Sequence, residues 1–183
     1  MQTSTDEILV SAARKGDDGA FSCLVTRYKR RVFGLAARFA KDSDELEDIC
    51  QEVFIKAYEN LNSYRGDAPF DHWLMRIAAH ASYDVLRKRR RESGTSSYDA
   101  LLHGVADQAD EARHKARQAR DLLKWALGRL SADEQMIITL LELEEYSIKE
   151  TAALTGWSEA NVKVRGHRAR QALKRLLEEH NAR

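Results

Sequence analysis

Six cations follow one another between positions 163 and 175 with no acid among them: Lys163, Arg165, Arg168, Arg170, Lys174 and Arg175. At helical spacing, Ala160, Lys163, Val164, His167, Arg168 and Gln171 share one face, and Val162, Gly166, Ala169 and Leu173 share the opposite one. A run of charge is ordinarily a solvated face, and cations near a helix C-terminus are favourable in themselves. That covers Lys174 and Arg175. It leaves Val164 unexplained, an apolar side chain on the outermost line of a basic helix. Contact with a thymine methyl, flanked by cations on phosphates and base edges, is chemistry such a face can do. The residues before it are those needed to present it. Ser147 with Glu150 three residues on forms a capping box. Ile148, Thr151, Ala152 and Leu154 give a narrow apolar stripe, Gly156 suits a left-handed stop, and Ser158 suits the next cap. Two short helices about a tight turn, the second one basic, form a helix-turn-helix that lies in the major groove of DNA.

Two further helices carry outward groups with chemistry. Over residues 42–61, Leu46, Ile49, Cys50, Val53, Ala57 and Leu61 face inward, while Asp48, Gln51, Glu52, Ile55, Tyr58 and Glu59 face out. Apolar anchors standing among carboxylates fit a protein interface that selects a basic partner, and equally a plain surface. Asn62, Ser63, Gly66 and Asp67 then make a turn, and Pro69 suits the first turn of a helix running to about Arg90. Phe70, Leu74, Ile77, Ala78, Ala81 and Val85 face inward. The outer line reads His72, Arg76, His80, Tyr83, Arg87 and Arg90, with Trp73 and Asp84 at its flanks. Cations interleaved with rings suit single-stranded or distorted nucleic acid; Trp73 fits a packing role as well.

The elements that position these groups are helical. One Pro in 183 residues and few alternating runs predict an all-α chain. Ser4 with Glu7 predicts a first helix with Ile8, Leu9, Ala12 and Ala13 on its stripe, stopped at Gly16. Asp17 caps a longer one with Phe21, Leu24, Val25, Tyr28, Val32, Leu35, Ala36 and Phe39 inward. From Asp110 a helix resumes on Ala116, Ala119, Leu122, Leu123, Ala126 and Leu130. Ser131 with Glu134 then caps an apolar helix through MIITLLELEEY. The net charge of +1 conceals acids crowded into 42–59 and bases crowded into 87–91 and 163–175, hence one basic partner and one polyanion. No apolar run reaches membrane-spanning length and the acidic N-terminus is no signal peptide, so the expected compartment is the cytoplasm. Cys23 and Cys50 need not pair there, with Cys50 a small core residue and Cys23 toward an outer face. The six histidines show no metal-ligand spacing, and neither cofactor nor metal is expected. Paired carboxylates, an activated nucleophile and a phosphate loop are all missing at useful spacing, so an enzyme is not expected.

The wording DICQEVFIKAYENL, YRGDAPFDHWLMRIA, YDVLRKRRR and NVKVRGHRARQAL, in this order, closely resembles the extracytoplasmic-function (ECF) group of bacterial sigma factors. The resemblance covers nearly the whole chain. It implies a first domain at 1–91, a linker at 92–109 and a second domain at 110–183. The partners it implies are core RNA polymerase, through the β′ clamp helices and the β subunit, promoter DNA, and an anti-sigma factor that holds the chain until a stress signal. That anti-sigma factor is often membrane-bound, which would hold the chain at the inner membrane without inserting it. Asp48, Gln51, Glu52 and Ile55 match the family's polymerase-docking surface. Arg65 and Asp67 of the turn, with Trp73, Arg76, His80, Tyr83, Asp84, Arg87 and Lys88, match the parts that read and open the −10 element. Asn161, Lys163, Val164, His167 and Arg168 match the −35 contacts. His80 stands where many relatives carry Asn, and Gly166 where a large aliphatic is usual. Filling that place, Gly166→Leu is expected to raise the thermal midpoint. The Gly and Ser of the linker suit a tether, although Leu101, Leu102 and Val105 are apolar for one. A stand-alone helix-turn-helix regulator is the alternative; it leaves the face of Asp48 and Glu52 and the basic-aromatic line without a use.

Overall fold

The computed structural model describes residues 5–92 and 111–182, apart from the side chains of 111–116 and 181. Among the described residues every regular element is helical. Ser4, the linker with Leu101, Leu102 and Val105, and the side chain of Ala116 lie outside them. Chain contacts divide the molecule into two compact units, Met1–Leu86 with Ala153–Gly156, and Arg87–Ala152 with Trp157–Arg183.

In the first unit, helix α1 (Asp6–Arg14) opens behind Thr5, whose side chain makes no capping bond. It closes at Gly16. Asp17 accepts from the Ala20 N–H and starts α2 (Asp18–Ala36). Asp42 accepts from the Glu45 N–H and starts α3 (Ser43–Glu59), which runs into a 3₁₀ turn at Leu61–Ser63. Pro69 stands one place before α4 (Phe70–Glu92) rather than inside it, and its carbonyl accepts from the N–H groups of His72 and Trp73. Side chains of three helices meet at one point: Phe21, Leu24 and Val25 of α2, Phe54 and Ala57 of α3, and Phe70 and Leu74 of α4 border a gap without room for water. Each large side chain fully buried there, such as Leu24 or Leu74, is worth about 1.5–3 kcal/mol.

The inward stripes of α2, α3 and α4 fall where the periodicity puts them, while α1 is rotated and α4 buries more than its stripe. Ile8 is 60% exposed, and α1 instead buries Leu9, Val10 and Ala13. Polar bonds at both ends of α1, from Asp6 to Arg27 and Tyr28 and from Arg14 to the Leu61 carbonyl, fix its rotation. On α4 a second stripe is buried, Met75, Ala79, Ser82 and Leu86, so that helix is covered over more of its circumference than one apolar face accounts for. Cys50 is buried, which together with the Glu47 charge pushes its thiol up to about 11; Cys23 is exposed.

The second unit takes in the end of α4 from Arg87 and continues with α5 (Glu111–Leu127). Ala119 is exposed; from Leu122 and Leu123, both half-buried and Leu123 packed on the core, α5 turns inward to Ala126 and Leu127, with Leu130 beyond. The Ser131–Glu134 capping box starts α6 (Ala132–Ile138). The apolar run after it does not continue as an α-helix: Thr139–Leu143 is a π-helical turn, and Glu145 takes a left-handed φ of 56°. A π turn of this length is a local departure that apolar periodicity alone does not signal. Then α7 (Ile148–Thr155) starts on the Ser147–Glu150 capping box, with Glu150 N–H to Ser147 Oγ at 3.2 Å and Ser147 N–H to Glu150 Oε2 at 2.8 Å. It stops at Gly156, φ 75°. Ser158 starts α8 (Glu159–Asn181) by accepting from the Asn161 N–H. Val162 and Ala169 of α8 pack with Leu127, Leu130, Ile137 and Ile138.

Gly166 is buried on that same inner face, as its spacing requires, but the space beside it is taken. A Cβ at this position would stand 3.0 Å from Leu141 Cδ1 and 3.9 Å from Ile137 Cγ2. The expectation for Gly166→Leu therefore reverses: a Leu overpacks a site already closed by two aliphatic neighbours, at about 1–3 kcal/mol, and lowers the thermal midpoint. Gly166→Ala raises it, by up to about 1 kcal/mol of helix propensity, because half-buried Leu141 can turn its Cδ1 aside. Thermal unfolding followed by circular dichroism distinguishes the two.

Candidate functional site

On α8 the outward face is the one predicted. Lys163, Val164, His167 and Arg168 are exposed together, Val164 by 51%. The cations do not share one role. Arg165 pairs with Asp133 at the start of α6, donates from Nε to Asn161 Oδ1 at 2.7 Å, and lays its guanidinium over the Trp157 ring at 4.3 Å. Arg170 donates from Nε to Glu142 Oε1 at 2.8 Å. Both hold α8 against its own unit. Lys174 lies 3.6 Å from Glu178, a solvated pair. Lys163 and Arg168 stay on the outer line, and the His167 ring lies 2.9 Å from the Gln171 amide, which fixes its orientation. Asn161 has its carbonyl oxygen engaged by Arg165, so what it offers outward is its amide N–H pair.

The sequence reading passed over the Trp157–Arg165–Asp133 clamp. Its signal was present. Trp157 directly precedes the capping Ser158, and an apolar residue there packs on the fourth helical residue, here Val162. Trp157 does lie against the cluster that contains Val162.

In the first unit, Asp48, Gln51 and Glu52 are exposed along α3, with Ile55 52% and Tyr58 48% exposed beside them. Glu52 is bridged to Lys56 at 3.1 Å. Tyr58 is anchored rather than loose: its hydroxyl donates to Asp18 Oδ1 at 3.0 Å and its ring meets Phe21 edge-on at 4.9 Å. The bond to Asp18 pushes its pKa up, so the hydroxyl stays protonated. Ile55 is the open apolar group of the face.

Arg65 and Asp67 are exposed in the turn before α4, where Gly66 takes a φ of 82°. Arg76, His80, Asp84 and Arg87 follow on one exposed line of α4, with Lys88 beside Arg87 and 4.0 Å from Glu92. Tyr83 is half-buried at the edge, and Arg90, predicted on the outer line, is half-buried too. Trp73 is half-buried, its ring 5.4 Å from that of Tyr64 and 5.5 Å from that of Phe70. Most of that ring is used in packing. Dehydration, then the neighbouring Arg76 charge, lower the His80 pKa against a smaller opposing effect of Asp84. The imidazole is thus neutral at neutral pH, one nitrogen donating and the other accepting. No cluster of metal-ligating side chains occurs among the described residues, nor any helix long and apolar enough to cross a membrane.

The family model for Sigma-70 region 2 matches residues 24–92, and that for Sigma-70 region 4 matches residues 120–173. The ECF RNA polymerase sigma-E factor of Escherichia coli K12 is 34% identical over 177 residues, covering 92% of each chain. The chain belongs to the ECF sigma factors. The RNA polymerase sigma-H factor of Pseudomonas aeruginosa is 33% identical over 181 residues, 94% of each chain. Among solved structures, CnrH in complex with the cytosolic domain of CnrY matches with a TM-score of 0.63 at 27% identity, over 96% of this chain and 99% of that one. The sigma factor RpoE in complex with the anti-sigma factor NepR, from Bartonella quintana, matches with a TM-score of 0.61 at 26% identity, over 86% and 96%. As an alternative sigma factor, this protein binds core RNA polymerase and directs it to promoters.

The division of the arginines on α8 has a measurable consequence. Arg165→Ala is expected to cost about 1–2 kcal/mol of stability, the sum of a partly solvated ion pair and a cation–π contact. Arg168→Ala, on the outer line, is expected to stay within about 0.5 kcal/mol. Denaturant unfolding of the two variants side by side checks the ordering.

Proposed function

We propose that the two units divide promoter recognition between them. Lys163, Val164, His167 and Arg168 of α8, with the amide of Asn161, read the −35 element. The turn with Arg65 and Asp67, and the line Arg76, His80, Asp84, Arg87 and Lys88 on α4, read and open the −10 element, with Trp73 and Tyr83 offering ring edges. Asp48, Gln51, Glu52 and Ile55 of α3 dock on the clamp helices of the polymerase β′ subunit, and the second unit reaches the β subunit. The observation that carries the DNA reading is Val164, half-exposed in the middle of a basic face whose structural arginines are already paired inward. What remains outward has the composition of a major-groove surface.

Affinity and choice then come from different atoms. Lys163 and the cations of α4 neutralise phosphates and release counterions, which binds DNA without reading it. Arg168, Val164 and His167 meet base edges. On α4, cations alternate with a neutral imidazole, a pattern that holds an unpaired strand rather than a duplex. The carboxylates around Ile55 select a basic, apolar partner surface.

A second regulatory layer fits the same chain. CnrH was solved with the cytosolic domain of CnrY, and RpoE with the anti-sigma factor NepR. By that likeness this chain is held by an anti-sigma factor in the cytoplasm and released in a stress response.

Run-off transcription with purified core polymerase tests the whole reading. Transcripts that require both core and this protein, starting a fixed distance from two shared elements, are expected. Tight DNA binding without any core-dependent transcript would favour a stand-alone regulator. Arg168→Ala is expected to lose about 1–3 kcal/mol of promoter binding, unequally across −35 variants. An equal loss on all of them, with a shallower salt dependence, would make it a phosphate contact. Asp48→Arg is expected to abolish co-purification with core while leaving the helical signal unchanged; normal co-purification would overturn the docking assignment.

A further inference from the structure

Helix α1 belongs to none of the proposed faces, yet both its ends carry polar bonds to distant residues of the first unit. At its start, Asp6 accepts from Arg27 and from the Tyr28 hydroxyl, both on α2. In between, Leu9, Val10 and Ala13 are buried. At its end, Arg14 reaches across 47 residues of sequence to donate from Nε and Nη2 to the Leu61 carbonyl, each at 3.0 Å, and from Nη2 to the Tyr64 carbonyl as well. These carbonyls lead directly into the turn with Arg65 and Asp67.

Tyr64 continues the chain of support. Its hydroxyl donates to the Ala68 carbonyl at 2.8 Å, spanning the turn from one end to the other. Its ring lies 5.5 Å from Phe70 and 5.4 Å from Trp73, and the Arg14 guanidinium sits 5.8 Å from its centroid. Burial, reinforced by the charges of Asp6 and Glu7, pushes the Tyr64 pKa up, so the donor is present at all ordinary pH.

Between the turn and α1 lies an open cavity of about 470 Å³, with Val10, Ser11 and Arg14 on one wall and residues 64–69 on the other. The turn residues 65–69 are all exposed. The Tyr64 ring packs on Phe70 and Trp73 at the base of the turn, and the Arg14 fork and the Tyr64 hydroxyl hold its main chain.

We propose that Arg14 and Tyr64 are positioning residues for −10 recognition: they hold the main chain of the turn so that Arg65 and Asp67 meet the promoter in one geometry. This rests on the reading that the turn contacts the −10 element. Pre-organised contacts discriminate because a wrong base cannot be accommodated by a shift of the loop. A loosened turn still binds but chooses less well.

The test uses the full-length protein with core polymerase on promoters varied one base at a time in the −10 and −35 elements. Arg14→Lys keeps the charge and loses the fork; Tyr64→Phe keeps the ring and loses the bond to Ala68. Each is expected to reduce the spread of activity among −10 variants by about tenfold, the equivalent of one hydrogen bond to a charged or main-chain partner. The spread among −35 variants is expected to stay as in the parent, while the thermal midpoint falls slightly with the lost bonds. Unchanged −10 preference, or an equal loss on every promoter, would overturn the proposal. Asp67→Ala is the control for the reading beneath it. If Asp67→Ala shifts −10 preference and the two positioning variants do not, only the positioning role fails. If Asp67→Ala itself leaves −10 preference untouched, the turn does not read the element and both fall.

Discussion

Apart from the turn before α4, the surfaces proposed for use are outer faces of helices, so they depend on where each helix begins and how it is rotated. The controlling interaction is the satisfaction of the first main-chain N–H groups by a side chain. Asp17, Asp42, Ser131, Ser147 and Ser158 each accept such a bond. Removing a cap of this kind costs about 1 kcal/mol, modest as stability. Its larger effect is on phase. Once Ser158 fixes the first residue of α8, the positions of Val162, Gly166 and Ala169 against the core follow, and with them the outward line from Lys163 to Arg168.

Charge is then sorted by geometry. A helix with six cations and no acid between them would repel itself and stand away from its own domain. Asp133 and Glu142 lie on the segment before the helix-turn-helix, and they take Arg165 and Arg170. Two cations become ties, and the outward ones are left to an external polyanion. The same division appears at α1, where Arg14 meets main-chain carbonyls while Arg65, a few residues on in the turn, remains exposed. Arg serves such ties because its fork can hold two acceptors at once, which an ammonium cannot do with the same geometry.

Much of this was legible in the sequence because caps and 3.6-residue spacing are local signals. The helix-turn-helix, the inward stripe of α3 and the exposed set Asp48, Gln51, Glu52 and Ile55 all follow from them. What was not legible depends on residues far apart in sequence. Ile8 reads as core until Asp6 and Arg14 are known to anchor α1 in another rotation. Thr139–Leu143 reads as α-helix because the capping box before it starts one and no local residue marks where its winding changes. Gly166 reads as a vacancy because sequence shows the missing side chain but not Leu141 and Ile137 occupying its place. Trp73 reads equally as a stacking ring or a packing one until Tyr64 and Phe70 are found against it.

His80 shows how a departure from the family pattern can preserve a chemical role. An amide presents one hydrogen-bond donor and one acceptor group to a base edge, and a neutral imidazole also presents one of each. The ring does so only while uncharged, and dehydration together with the Arg76 charge keeps it so. The substitution is not an exact exchange. The two ring nitrogens point in more divergent directions than the amide groups, so a single base edge cannot satisfy both. One ring N–H is engaged by the Leu154 carbonyl, which leaves the other nitrogen as an acceptor. On the proposed −10 surface this leaves His80 one outward acceptor, and it places the chemical difference from Asn-bearing relatives in the direction and number of outward bonds.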